Sequence, residues 1–334
     1  MKDRRRGVLY AVAGGVFWGG SGVAGQYLLQ DAGFATEWLV TARLMLAGII
    51  LLALDAARHG GDIFRVWRSR RNCAELLFFG VCGMMLVSYS YFASIRYGNA
   101  AAATVLQYLM PAMIVLYTAL RYRRWPSGLE LFCVLLALAG TVLLVTHGDW
   151  RALAIPLPAF LWGLVAAVTG AIYTLSPKRL IRAWRAPLIV GWGMLVGGAA
   201  MAAATRPGLW SGCWTPLSSL AFLYLIVFGS VAAFALYLGS TKYIQPSEAG
   251  VLASVEPLTA IVLSVALLGA SFGVLDVLGS ASEGRRLLAS KKGLTGDALI
   301  SRETFLVFHA LPLAVRLSLA SRGASGSGAS YPHT

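Results

Sequence analysis

The sequence predicts an all-α polytopic membrane protein. Three observations carry that expectation: its apolar content, the length of its apolar runs, and the way basic residues alternate between the connections. Apolar residues fill 58% of 334 positions and charged residues 13%, so a globule in water would lack the polar surface to cover itself. A spanning helix needs about 20 predominantly apolar residues at roughly 1.5 Å each. Nine such runs are present, at 7–29, 36–57, 73–95, 99–120, 128–146, 157–177, 187–204, 216–240 and 247–269. The gaps between them before residue 270 are too short to hold a folded soluble unit.

The opening Met1–Arg6 stretch is basic and is followed by an apolar run, as in a secretory signal, but the run is long enough to span. Further Lys and Arg gather in 58–72, 121–127 and 178–186, with Lys242 after the eighth run. The alternate connections hold only Arg96, Arg151 and Arg206. This asymmetry predicts a cytoplasmic N-terminus. The net charge of +14 is thereby divided among connections rather than gathered on one soluble face, which argues against a nucleic-acid partner. Cys73, Cys82 and Cys133 lie in or beside runs and Cys213 in a connection, without a disulfide framework or metal spacing. His59 and His147 fall in connections, His309 and His333 in the tail, so neither metal nor cofactor is expected. Gly15/Gly19 and Gly193/Gly197 provide small faces for close helix contact. Trp67, Trp125, Trp150 and Trp184 stand at span ends as expected interfacial anchors.

The chain repeats itself. Ser94-Ile-Arg-Tyr97 returns 146 residues later as Ser240-Thr-Lys-Tyr243, and at the same offset Leu106 falls on Leu252, Pro111 on Pro257 and Glu130 on Asp276. Phe17-Trp-Gly19 matches Leu161-Trp-Gly163 at an offset of 144. Two five-helix halves follow, 1–146 and 157–281, and because five is odd the second enters the membrane from the opposite side. The fold class is therefore two inverted five-helix repeats on a ten-helix plan.

Trp-Gly in the opening helix, Thr41-Ala-Arg-Leu44 in the second, and Ser247-Glu-Ala with Val255-Glu-Pro257 in the ninth, in this order, resemble the EamA branch of the drug/metabolite transporter superfamily over residues 7–281. The resemblance implies a multi-pass protein of the bacterial inner membrane that exports amino acids or related metabolites by alternating access. Leu120-Arg-Tyr-Arg-Arg-Trp-Pro126 replaces the Gly-Glu-Arg type turn often found there in the family. After Asp276 the apolar run stops at Ala281, so the tenth helix is truncated or replaced, and 282–334 forms an aberrant basic tail ending in a Gly/Ser/Ala stretch with the character of disorder. A frame change or fusion near residue 281 would account for the break. Thr304–Ala320 is a competing candidate for a replacement span, though it is short and carries Pro312 and Arg316.

Intramembrane charge points to a site, since it costs roughly 2.5–3.5 kcal/mol at a helix centre. Glu256 is expected about 14 Å along the ninth helix and Arg43 about 9 Å into the second. Glu256 would exchange a proton or bind a cargo amine, and Arg43 would present a fork to a cargo carboxylate, a pairing that suits an amino acid. The alternative has the two charges lock to each other or to backbone, with Arg43 free to snorkel. Pro111 and Pro257 free the carbonyls of Gln107 and Ala253, predicting paired mid-membrane kinks that serve as hinges or as shape alone. Trp18, Tyr89, Gln107, Tyr108, Trp162, Tyr173 and Tyr237 are candidate cavity-lining residues.

The expected partners are the lipid bilayer and a small-molecule cargo. No ATP-binding segment is evident, so transport would be gradient-driven or exchange. A membrane-embedded enzyme would need a nucleophile with its base, paired carboxylates or a metal cluster, none of which the spans supply. A non-transporting product of a damaged gene is the other alternative, and the break at residue 281 is the feature that favours it.

Overall fold

The computed structural model describes residues 2–123, 155–208, 211–240, 242–244 and 252–268, with isolated positions at 125, 128, 131, 134, 135 and 249. All of these belong to a unit running Met1–Ser290; a second unit, Lys291–Thr334, lies outside the described residues. Seven helices in the described residues are long and apolar enough to cross a membrane. They are α1 (Lys2–Gln30), α2 (Thr36–His59), α3 (Arg70–Tyr97), α4 (Ala100–Arg121), α5 (Leu157–Ala183), α6 (Ala186–Thr205) and α7 (Pro216–Ser240). A shorter apolar helix, α8 (Val255–Leu268), carries the Glu-Pro pair of the expected ninth span. The expected fifth span at 128–146, the tenth, and the tail with its break at 281 fall almost entirely outside the described residues.

Helices are the fold because a chain in hydrocarbon must satisfy its backbone groups within each segment. Their starts are marked by local chemistry. Asn99 Oδ1 accepts from the Ala102 N–H at 2.8 Å to open α4, and Thr215 and Ser218 form a capping box at α7 with Pro216 in the first turn. Gly60, at φ 75°, closes α2. Large apolar side chains recur at helical spacing on outward faces: Leu46 and Ile49; Leu161, Val165 and Val168; Leu217, Leu220 and Leu223. These faces meet lipid, where they need no protein partner.

Between helices, glycine lets backbones approach. α1 packs on α7 and α8, α2 on α6, and α3 on α5. A Cβ at Gly19 would stand 2.6 Å from the Glu256 carbonyl oxygen, and one at Gly15 would stand 2.7 Å from that of Ala253. One at Gly197 would stand 2.7 Å from the Gly80 carbonyl oxygen, and one at Gly48 2.9 Å from that of Gly191. Both expected small-residue faces are thus contact faces, and the first sets Glu256 directly against α1. Two expected anchors pack inward instead: Trp67 stands edge-on to Trp192 with centroids 5.2 Å apart, and Trp184 leans on the main core. Trp125 is 93% exposed, as an anchor should be.

Among the described residues, four interruptions break the regular helices. α3 widens into a π-helical turn at Phe79–Met85 and α7 into another at Val227–Ala232. α4 is broken at Tyr108 and Leu109, just before Pro111, and the turn at Ser254 precedes Pro257 in α8. Tyr108 and Ser254 are 146 residues apart, the offset at which the sequence matches itself.

Gly19→Val would force the α1–α8 contact apart. It is expected to lower stability by about 1–3 kcal/mol, the range for overpacking a tight site, read as a fall in the thermal midpoint of the detergent-solubilised protein. Gly61→Ala, where an added Cβ meets nothing within 4 Å, should leave the midpoint unchanged.

Candidate functional site

A cavity of about 580 Å³ lies among the eight described helices, within the range of small-molecule sites. Its walls are mostly apolar and aromatic, with Phe79, Met84, Tyr173, Phe234 and Tyr237 prominent. Of the expected site residues, Trp18, Arg43, Gln107, Tyr108, Pro111, Tyr237 and Glu256 line it. Ala253, whose carbonyl Pro257 frees, lines it as well. Pro257 itself is buried outside the lining. Tyr89 and Trp162 are elsewhere, packed edge-on with centroids 5.3 Å apart, and the Tyr89 hydroxyl donates to Glu37 at 3.1 Å.

The two intramembrane charges sit on this cavity without pairing to each other. The Glu256 carboxylate accepts a long hydrogen bond from the Tyr108 hydroxyl at 3.3 Å, and the same hydroxyl lies 3.4 Å from the freed Ala253 carbonyl. A broken helix, its freed carbonyl and the carboxylate are thereby joined through one tyrosine. Arg43 turns the other way. Its Nε donates to Ser230 Oγ at 2.9 Å, Nη2 donates to the Gly229 carbonyl at 3.4 Å, and the guanidinium stands over the Phe92 ring at 5.2 Å. Of the alternatives the sequence left open, this contact is the lock to a backbone group rather than a lock to Glu256.

Ser21, Ser88, Tyr91 and Thr174 also line the cavity and were not singled out from the sequence. Hydroxyls in apolar runs carry little signal, because most bond back to their own helix; Thr174 Oγ1, for example, donates to the Gly170 carbonyl at 2.9 Å.

The two ends of the bundle are tied differently. At the end opposite the N-terminus, side chains hold backbone. Gln30 Nε2 donates to the carbonyls of Ile95 (2.7 Å) and Gly98 (2.8 Å), Arg96 Nη1 donates to Phe34 O (3.0 Å), and the Ala100 N–H donates to Gln26 Oε1 (2.8 Å). Trp38, Trp214, Phe222 and Phe34 cluster over this end. At the N-terminal end, ion pairs hold the connection between α5 and α6. Asp55, with 2% of its side chain exposed, accepts from Arg185 Nη2 at 2.8 Å, and Glu75 accepts from Arg179 Nε at 2.7 Å. Hydrogen bonding to Asp55 raises the Arg185 pKa above its ordinary value, against a smaller opposing effect of desolvation. Asp55 escaped notice in the sequence because it falls two residues from the end of an apolar run, where a charge reads as solvated. The cavity lining reaches this end through Pro177, Ile181 and Ala186.

The sequence model of the EamA-like transporter family matches residues 5–146 and again 157–282. The chain belongs to the EamA-like transporter family. A Salmonella typhimurium protein described as the uncharacterized inner membrane transporter YicL is 38% identical over 283 residues, which is 84% of this chain and 93% of that one. A solved structure titled "Crystal structure of protein" superposes with a TM-score of 0.61 at 19% identity, covering 86% of this chain and 99% of its own, and speaks for the fold alone. This EamA-like chain is a polytopic helical transporter of the inner membrane, not an enzyme, and its partners are membrane lipid and a small-molecule cargo.

Because Asp55 is the buried member of its pair, removing Arg185 leaves a buried carboxylate with only the His59 ring, whose Nδ1 lies 3.3 Å away, while removing Asp55 leaves an arginine that water can reach. Arg185→Ala is expected to destabilise by about 3 kcal/mol and Asp55→Ala by distinctly less, checked by chemical or thermal unfolding in detergent. Equal losses would place the two groups in similar surroundings.

Proposed function

We propose that the protein exports amino acids or closely related zwitterionic metabolites by alternating access, driven by a gradient or by exchange. The observation that carries this is one cavity with both intramembrane charges on its wall, Arg43 for a cargo carboxylate and Glu256 for a cargo amine or a coupling proton. The aromatic walls would pack the apolar part of such a cargo. The helix breaks at Tyr108 and Ser254 sit on the cavity and can serve as hinges, because freed carbonyls there have polar company. An inverted pair of five-helix halves is supported by the matched breaks, by a π-helical turn in both α3 and α7, and by the two separate family matches. Among the described residues the cavity lining includes the end of α5 and the start of α6 at the N-terminal end, through Pro177, Ile181 and Ala186, and none of the connections at the opposite end. That asymmetry supports a conformation open towards the N-terminal side.

The test is exchange of radiolabelled L-amino acids in proteoliposomes. Wild-type protein should exchange at least one of them, and Glu256→Gln should slow that exchange about 10- to 100-fold, the cost of losing one charge-assisted hydrogen bond. Wild-type rates in Glu256→Gln would remove the carboxylate from the transport step.

The rival, a non-transporting product, turns on the chain after residue 281. The family match ends at residue 282, which supports a departure from the family plan there. A topology reporter fused at residue 270 and at residue 334 separates the two cases. Opposite sides of the membrane are expected if the tail supplies a tenth span, and the same side if the second half is incomplete.

A further inference from the structure

The π turn of α7 is held by a side chain from another helix. In a π turn each N–H reaches back five residues instead of four, which widens the helix and leaves its carbonyls open to other donors. Here the Ser230 hydroxyl donates to the Leu225 carbonyl, five residues back, at 3.0 Å. The same Ser230 oxygen accepts from Arg43 Nε at 2.9 Å, and the adjacent Gly229 carbonyl accepts from Arg43 Nη2 at 3.4 Å. Arg43 therefore bridges α2 to the turn, while its guanidinium also faces the cavity. The π turn of α3 is held by shape instead: Gly80 lies against Val196 and Gly193 on α6, and a Cβ at Gly197 would meet the Gly80 carbonyl oxygen. The α7 turn packs closely too, since a Cβ at Gly229 would meet Ser21 of α1, but of the two turns it is the one that also carries a charged fork on the wall of the site.

We infer that Arg43 is a cargo-responsive clamp: a carboxylate entering the cavity competes with Ser230 and Gly229 for the guanidinium and so releases the π turn Val227–Ala232 of α7. The exchange is favourable in kind, since a carboxylate is a stronger acceptor for a guanidinium than a hydroxyl or a carbonyl. Phe92, at 5.2 Å beneath the cation, can hold it in place while its donors change partner. Releasing the turn removes the polar tie between α7 and α2 on the cavity's own wall and leaves the Trp38–Phe222 ring contact nearer the far end. Arg43 is then both the contact for the cargo's anionic group and the positioning residue for the helix that responds. This rests on the proposal that a carboxylate-bearing cargo occupies the cavity.

Hydrogen–deuterium exchange of the full chain in lipid nanodiscs tests it, with the π turn of α3 as internal reference. Arg43→Gln should speed exchange over 225–233 several-fold and leave 79–85 unchanged, and Arg43→Lys, which keeps a donor but loses the fork, should restore part of the protection. Phenylacetate, a carboxylate without an amine, should speed exchange over 225–233 in the wild type, and 2-phenylethylamine, the amine without the carboxylate, should not. Unchanged exchange in Arg43→Gln would overturn the clamp whatever the cargo is. Acceleration by 2-phenylethylamine equal to that by phenylacetate would overturn competition by the carboxylate. Release by phenylacetate in a protein that exchanges no L-amino acid would sustain the clamp and sink the amino-acid reading.

Discussion

A backbone without water is the constraint on which the rest of this structure depends. Every N–H and C=O in the spans must find a partner inside the protein, so an interruption of regular helix is tolerated only where something else completes the bonding. The described spans contain two π turns and two proline-associated breaks. Two of the four, the break before α8 and the π turn of α7, have a compensating side chain in view. Tyr108 stands by the Ala253 carbonyl, Ser230 bonds that of Leu225, and Arg43 reaches that of Gly229. Polar side chains gather at the interruptions, and the cavity gathers around the polar side chains.

Close helix approach is the second half of the same design. With no difference in hydrophobicity between lipid tails and helix faces, association relies on contact area, and glycine supplies it. Gly15 and Gly19 press α1 against the segment that carries Glu256, while Gly48, Gly80, Gly191 and Gly197 join α2, α3 and α6. The carboxylate is held near α1 by backbone shape rather than by a side-chain partner on that helix. Its position can then survive a change in what it binds.

The helical fold was legible because lipid imposes a length and a charge rule that composition and spacing report directly. Intramembrane charge and proline were legible for the same reason: each is costly in hydrocarbon and stands out. Arg43, Glu256 and, beside Pro111, Gln107 were accordingly named in advance and are found on one cavity, which Trp18, Tyr108, Tyr173 and Tyr237, named on residue type, also line. Tyr89 and Trp162 were named on residue type alone, and type does not say which way an aromatic ring faces. The π turns left no trace, because a single extra residue in a helix shifts register without changing composition. The partners of Arg43 were hidden with them, since Ser230 reads as an ordinary small residue until α7 widens around it. Asp55 was hidden by its place near a span end, where burial depends on how the α5–α6 connection folds over it.

The contrast between the two ends of the bundle has a consequence for how the protein senses its surroundings. The far end is closed largely by hydrogen bonds to backbone carbonyls and by stacked aromatic rings, interactions that dissolved ions barely touch. The N-terminal end is tied by carboxylate–guanidinium pairs, and Arg179 and Arg185 keep 39% and 35% of their side chains exposed. Mobile ions screen such partly exposed charges over about 8 Å at physiological salt. Among the described residues, ionic strength thus bears more on the ties at one mouth of the bundle than on those at the other, so the bathing solution itself weights how firmly each end is fastened.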